Sequence, residues 1–262
     1  LQIKRMGGGP MSHGDKELRI INMVRQHFCT ADKYGFSIED IQKMESILDS
    51  AVPNNESSKF PDFVFKGGFI EHFQVTSSKE TRKGAEHLKL KSGYNTKVTD
   101  IKSKIVSGEI TDRASLDFKY PSHSYSDFKK SFLKNWKSHI SSLRKYRVDC
   151  KTGIFFIQYS DFALEMMEDI YRDVKPGFQM PIREAQHHQD YRLSRDREML
   201  SFIANYQDEL KYVIFVNSTV VELISLNHID DMLKLMPWDF LVVARPFTIE
   251  TNRFTPIRLS DE

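Results

Sequence analysis

The chain has 262 residues, 40% hydrophobic, 28% charged and 12% aromatic, which supplies a core and excludes wholesale disorder. A formal charge of +2, from 38 basic and 36 acidic side chains, excludes a global polycation, so any nucleic-acid surface must come from local clustering. Two cysteines, Cys29 and Cys150, are too few for a disulfide framework or a four-thiolate zinc site.

With a single bridge left open, a reducing cytoplasm is the expected setting. No apolar run reaches the roughly 18–20 residues of a membrane span, and the first residues lack the apolar centre of a signal peptide, so neither membrane nor secretion is expected. Residues 1–13, with the run Met6-Gly7-Gly8-Gly9-Pro10-Met11, read as a flexible leader. Residues 14–262 read as a single domain, its core at about 15–160 and a C-terminal elaboration at 161–262.

Leu18, Ile21, Val24 and Phe28 recur at three and four and predict an amphipathic helix from Asp15 to Phe28. Ser37-Ile38-Glu39-Asp40 has the form of a capping box, with Asp40 in place of the usual Glu. It opens a second helix carrying Ile38, Ile41, Met44, Ile47 and Leu48, which stops before Pro53. After a polar loop, Phe60–Phe65 and Phe69–Thr76 read as strands around Lys66-Gly67-Gly68, whose glycines supply the positive φ of a tight hairpin. Ser77–Gly84 reads as a loop, 85–106 as a weak, lysine-rich helix and 107–124 as a loop.

Phe128, Phe132, Trp136, Ile140 and Leu143 form one helical stripe and predict a helix over 125–147. Ile154–Tyr159 reads as a strand buried on both faces. Asp161–Val174 has a helical pattern that Pro176–Pro181 breaks, and 193–210 predicts another helix. Strands at Tyr212–Val216 and Val220–Leu226, a short helix at Ile229–Leu235 and a strand at Phe240–Ala244 follow. The expected class is α/β, with a mixed central sheet, flanking helices and helical crossovers.

The chemistry concentrates in Phe60-Pro61-Asp62 and in Phe69-Ile70-Glu71-His72-Phe73-Gln74-Val75-Thr76. Asp, Glu and His inside apolar strands cost several kcal/mol (roughly 2–7) unless paired, hydrogen-bonded or bound to a metal. Two hard oxygen ligands from neighbouring strands suit Mg²⁺, which keeps other positions for water and phosphate. Asp62 closing a turn and Glu71 pairing with Lys66 across the hairpin is the competing structural reading.

These residues resemble the PD-(D/E)XK, or restriction-endonuclease-like, nuclease superfamily. Pro61-Asp62 is similar to its Pro-Asp element, and the return strand after the Gly hairpin to its acid-x-Lys element. The order of elements over about 15–160 resembles its α-β-β-β-α-β core. The resemblance implies phosphodiester hydrolysis with Mg²⁺ or Mn²⁺, a DNA substrate ahead of RNA, and a restriction or antiviral-defence role. It implies Asp62 and Glu71 as metal ligands.

One departure stands out: with Glu71 as the second acid, the lysine position is Phe73. Period-two alternation puts Glu71, Phe73 and Val75 on one face and His72, Gln74 and Thr76 on the other, so His72 with Gln74 offers a second register. A bulge would bring Glu71 and Gln74 together. The favoured set is Asp62, Glu71 and Gln74, with His72 as an alternative ligand, Glu17 as an extra acid, and Lys79 or Lys83 as stand-ins for the lysine.

The loop Thr76–Gly84, with its hydroxyls and Lys79, Arg82 and Lys83, has the composition of a phosphate-contacting segment. The 125–147 helix carries Lys129, Lys130, Lys134, Lys137, Arg144, Lys145 and Arg147 against Asp127, a candidate track for a nucleic-acid backbone. Trp136 reads as core. His187-His188 looks like a metal pair, but a solvated loop or helix end is the better reading. The rival functions are a non-catalytic nucleic-acid-binding module and a protein-interaction domain on the same fold, with a homo-oligomer or partner subunit open in each case.

Overall fold

The computed structural model describes residues 13–54, 60–81, 84–119, 122–146, 152–161, 163–217, 219–236, 240–245 and 249–255. The expected leader up to residue 12, Arg82, Lys83, Arg147 and Cys150 lie outside the described residues, as does the side chain of Glu17. In chain order the first elements are α1 (His13–His27), β1 (Asp32–Tyr34), α2 (Ile38–Ser50), β2 (Val52–Pro53), β3 (Phe63–Phe65) and β4 (Gly68–Val75). Then come β5 (Glu80–Thr81), β6 (Gly84–Ala85), α3 (Glu86–Val106), β7 (Ala114–Lys119), α4 (Tyr125–Lys145) and β8 (Thr152–Tyr159). The rest are β9 (Leu164–Glu168), β10 (Tyr171–Lys175), β11 (Phe178–Pro181), β12 (His187–His188), α5 (Arg197–Ala204), β13 (Tyr212–Val216), β14 (Val221–Ser225), α6 (Ile229–Leu235), β15 (Phe240–Ala244) and β16 (Ile249–Phe254).

The expected α/β class with a mixed central sheet and flanking helices is present. Its seven strands run in the order β1-β14-β13-β8-β4-β3-β2. β2, β3 and β4 are an antiparallel meander, β8 is parallel to β4, and β13 is parallel to β8. β14 returns antiparallel to β13 and carries β1 in parallel at its far edge. The strands near residues 212–226 therefore complete the sheet.

Period-two alternation in β4, β8 and β13 sends side chains to both faces, and helices cover each. On one face Ile70, Ile154, Phe156 and Ile214 pack with Ile21 and Val24 of α1 and Met44, Ile47 and Leu48 of α2. On the other, Phe69, Phe73, Phe155, Ile157 and Phe215 pack with Phe128, Phe132, Trp136 and Ile140 of α4 and Met199, Leu200 and Ile203 of α5. Burying one such large apolar side chain is worth about 1.5–3 kcal/mol. Trp136 is core, as its place on the α4 stripe implies.

The capping box forms: Ser37 Oγ accepts from Asp40 N and the Asp40 carboxylate accepts from Ser37 N. In the hairpin only Gly67 has positive φ, +85°. Gly68 is needed for another reason, since a Cβ there would collide with the Thr152 carbonyl and the Phe65 ring.

Several expected elements differ. Asp161–Val174 is β9 and β10, not a helix. Leu164, Met166 and Glu168 point inward while Glu165 and Met167 do not, a period of two that is hidden because an acid occupies an inward position and Leu, Met and Glu favour helices. The expected helix over 193–210 is a 3₁₀ turn at Leu193–Arg195 followed by α5, which Asp196 caps by accepting from Met199 N. The expected loop over 107–124 contains β7, which pairs with β16. His187 and His188 form neither a loop nor a helix end but a short strand beside β9. No helix among the described residues is long and apolar enough to cross a membrane.

Candidate functional site

β4 is eight residues long but its partner β3 is only three, so pairing stops at Phe63–Ile70 and the rest of that β4 edge needs other partners. Side chains supply them. Asp62 Oδ2 accepts the His72 N–H at 2.7 Å, Asn135 Nδ2 donates to the Gln74 carbonyl at 3.3 Å, and Ser131 Oγ accepts the Thr76 N–H at 3.2 Å. Ser131, Asn135 and His139 recur every four residues, so they form one polar seam of α4 lying along β4.

His139 completes that seam by meeting an acid. Its Nδ1 lies 2.6 Å from Glu71 Oε1, and Glu71 Oε2 accepts the Asp62 N–H at 3.1 Å. Glu71 is 5% exposed, so the imidazole and the amide together offset the cost of burying a carboxylate. The imidazole also stacks on Phe73, with ring centroids 4.6 Å apart and planes 12° from parallel. Asp62 and Glu71 are thus brought together, with Glu71 partnered by His139 and not by Lys66.

Gln74 is not part of that group. β4 and β8 keep an uninterrupted register from Gly68↔Thr152 to Val75↔Tyr159, with no bulge to turn Gln74 toward Glu71. Glu71 sits among Phe69, Phe73 and Val75 facing α4, and Gln74 faces the opposite side with His72. There Gln158 Oε1 lies 3.1 Å from Gln74 Nε2 and 3.3 Å from His72 Nε2, a glutamine-bridged cluster in the second register.

The Thr76–Gly84 loop is also corrected in part. Its first hydroxyls turn inward: Thr76 Oγ1 and Ser77 N each donate to Asp161 Oδ2 at 2.6 Å, and Ser77 Oγ lies 2.8 Å from His123 Nδ1 and 2.9 Å from the Tyr159 hydroxyl. Ser77 is fully buried, so this cluster ties the end of β4 to the end of β8 and offers no hydroxyl to a phosphate. Burial pushes the Tyr159 phenol above its ordinary range. Lys79 is exposed.

On α4 the cations do not act as a block. Lys129 is drawn to Glu198 at 2.9 Å and lies over the Tyr125 ring, Lys130 is 3.5 Å from Asp127, and Arg144 forks onto Glu209 Oε1 at 3.0 and 2.7 Å. Lys130, Lys134, Lys137 and Arg144 are exposed along one stripe. Lys137, Arg144 and Lys145 line a shallow cavity of about 280 Å³ with Ser141 and Tyr206.

No group of three or more His, Cys, Asp or Glu suited to hold a metal is present among the described residues. Mg²⁺ uses only one or two carboxylates, so the absence of such a group does not bear on a two-carboxylate set. Each carboxylate oxygen has two lone pairs, so one N–H on each Glu71 oxygen leaves acceptor capacity. Sequence reasoning missed His139, Gln158 and Asp161. His139 was legible as the third member of the i, i+4, i+8 polar line inside a cationic helix, whereas the other two show their role only when β8 is laid beside β4. Compared with known proteins, the chain matches no family model, no curated protein and no solved structure.

Proposed function

We propose that the chain is a divalent-metal-dependent nuclease that hydrolyses phosphodiester bonds, of DNA ahead of RNA, on a restriction-endonuclease-like core. The observation that carries this reading is the contact between Asp62, entering β3, and Glu71, in β4, where the two strands part. It sits among α2, the β2–β4 meander, the α4 crossover and the parallel β8, with β5, β6, α3 and β7 inserted before α4, and this order resembles that of the nuclease superfamily.

In this reading Asp62 and Glu71 would hold Mg²⁺ or Mn²⁺. A bound ion supplies positive charge against the phosphate as it accumulates negative charge. The exposed stripe Lys130, Lys134 and Lys137, with Lys79, would hold the nucleic-acid backbone. A cytoplasmic restriction or defence role belongs to the same proposal.

A second reading, a nucleic-acid-binding module without hydrolysis, is favoured by Phe73 at the lysine position and by the fold-supporting hydrogen bonds of both acids. Cleavage of labelled linear and circular DNA, with an RNA control, separates the two. It should be run with Mg²⁺, Mn²⁺ and chelator. Asp62→Asn and Glu71→Gln are the variants of choice because Asn keeps an oxygen for the His72 N–H and Gln keeps one of the two acceptor oxygens of Glu71. Metal-dependent cutting that both variants lose by at least about 10²-fold supports the nuclease; retardation without cutting supports the binding module.

A further inference from the structure

β15 is the end strand of the small sheet β12-β9-β15. Its five residues, Phe240-Leu241-Val242-Val243-Ala244, include neither a charge nor a proline, the residues that usually keep an edge strand from pairing. The Arg245 N–H is donated to the Ala163 carbonyl just before β9, so by alternation the N–H and C=O groups of Phe240, Val242 and Ala244 point away from β9. No strand among the described residues lies on that side to meet them.

The side chains divide just as cleanly. Phe240 and Val242 pack on the core, whereas Leu241 and Val243 are 52% and 40% exposed, and Met167, opposite Leu241 on β9, is 42% exposed. Glu165 lies opposite Val243, but its carboxylate turns to His187 of β12, 3.1 Å away on the far side of β9. The β10–β11 hairpin leaves β9 at its Glu168 end and adds exposed Tyr171, Phe178 and Met180. Among the described residues, eight of the thirteen exposed large hydrophobic side chains lie on β9, β15 or the hairpin and the residue after it. At on the order of 100 Å² each, they present the roughly 800 Å² that one partner gives to a stable interface.

We propose that β15 is a homodimer interface, pairing antiparallel with β15 of a second copy across a two-fold axis at Val242. Val242 then exchanges both backbone hydrogen bonds with the partner's Val242, and Phe240 does so with the partner's Ala244. Leu241 lies directly opposite the partner's Val243 on the exposed face, an apolar pair on each side of the axis. A strand from a different protein would gain the same backbone bonds, but β15 has no charge to select one, whereas its own sequence is self-complementary. The pairing also closes at two copies, because the joined sheet ends on each side in β12, a strand of only two residues. This interface is independent of the nuclease reading.

Sedimentation of the full chain across a range of concentrations tests it, on wild type, Leu241→Lys with Val243→Lys, Leu241→Glu with Val243→Glu, and a mixture of the two double variants. Wild type should be a dimer at micromolar concentration and above. Each double variant should be a folded monomer by circular dichroism, since both side chains are exposed and like charges now face each other across the axis. Mixing the two should restore the dimer, because every lysine then faces a glutamate. In hydrogen exchange the Val242 and Ala244 amides should be slow in wild type and fast in the double-lysine variant, while those of Leu241 and Val243, directed at β9, stay slow in both. A monomeric wild type overturns the proposal, as does a dimer that both double variants keep, or a mixture that stays monomeric. Should a double variant unfold, the wild-type exchange pattern decides, and fast Val242 and Ala244 amides in a dimer overturn the interface.

Discussion

Glu71, Glu168, Asp196 and Glu222 are buried carboxylates that differ in what they meet. Glu168 reaches Arg183 at 2.5 Å; burial alone would raise its pKa, but the Arg183 hydrogen bond and charge hold it below the ordinary value. Glu222 is fully buried and has hydrogen bonds from the Ser194 hydroxyl at 2.5 Å and the Leu193 N–H at 2.8 Å. Burial outweighs these bonds and raises its pKa. A folded state that keeps this proton after the unfolded chain has released it loses stability as pH rises from the ordinary glutamate value through the raised one. Glu222→Gln should flatten that decline, read as the urea midpoint across pH, with the like-signed share of Asp196 remaining. Glu222→Ala should cost about 3 kcal/mol, because it leaves the Leu193 and Ser194 N–H groups unsatisfied. An unchanged slope in Glu222→Gln would refute the assignment.

At the scale of the element, α2 and α4 show what a local pattern does and does not specify. The α2 box is specified by neighbours in sequence, so Ser37→Ala should cost about 1 kcal/mol in a denaturant titration. Asp40→Ala should cost more, about 2 kcal/mol. The reason is that Asp40 also accepts the Tyr212 hydroxyl of β13 at 2.7 Å, a bond spanning most of the chain. Equal losses would show that the Tyr212 bond contributes nothing. The apolar stripe of α4 is readable from spacing, and so is the presence of Asp62 and Glu71 on either side of a hairpin. The pairing of Glu71 with His139 is not, since sequence separation carries no information on which polar residue of α4 lies over which residue of β4. Failure at β9 has the same origin: Glu168 breaks the apolar alternation, and its partners Arg183 and Gln186 lie beyond the strand.

Across the whole molecule, the sheet interleaves the two halves of the chain. β8 lies between β4 and β13, β1 depends on β14, and Met199, Leu200, Ile203, Val213 and Phe215 belong to the same core as Phe69 and Trp136. A fragment ending at residue 160 should therefore fail to fold, because β8 would present an unpaired apolar edge and α4 would lose α5 and α6. Circular dichroism and limited proteolysis of that fragment check this, and a cooperative unfolding transition would count against it.

The sequence by itself determined the α/β class, both N-terminal helices, the glycine hairpin, the α4 core stripe and the strands at β8, β13 and β14. Each of these rests on apolar periodicity or turn chemistry acting over a few residues. Only the tertiary structure decided that β3 stops short of Glu71, that Asp62 closes the edge it leaves open, and that His139 meets Glu71 while Gln74 turns away toward Gln158. These depend on the registers of β3, β4, β8 and α4, and a register is set by the packing of two whole faces, which no single segment encodes.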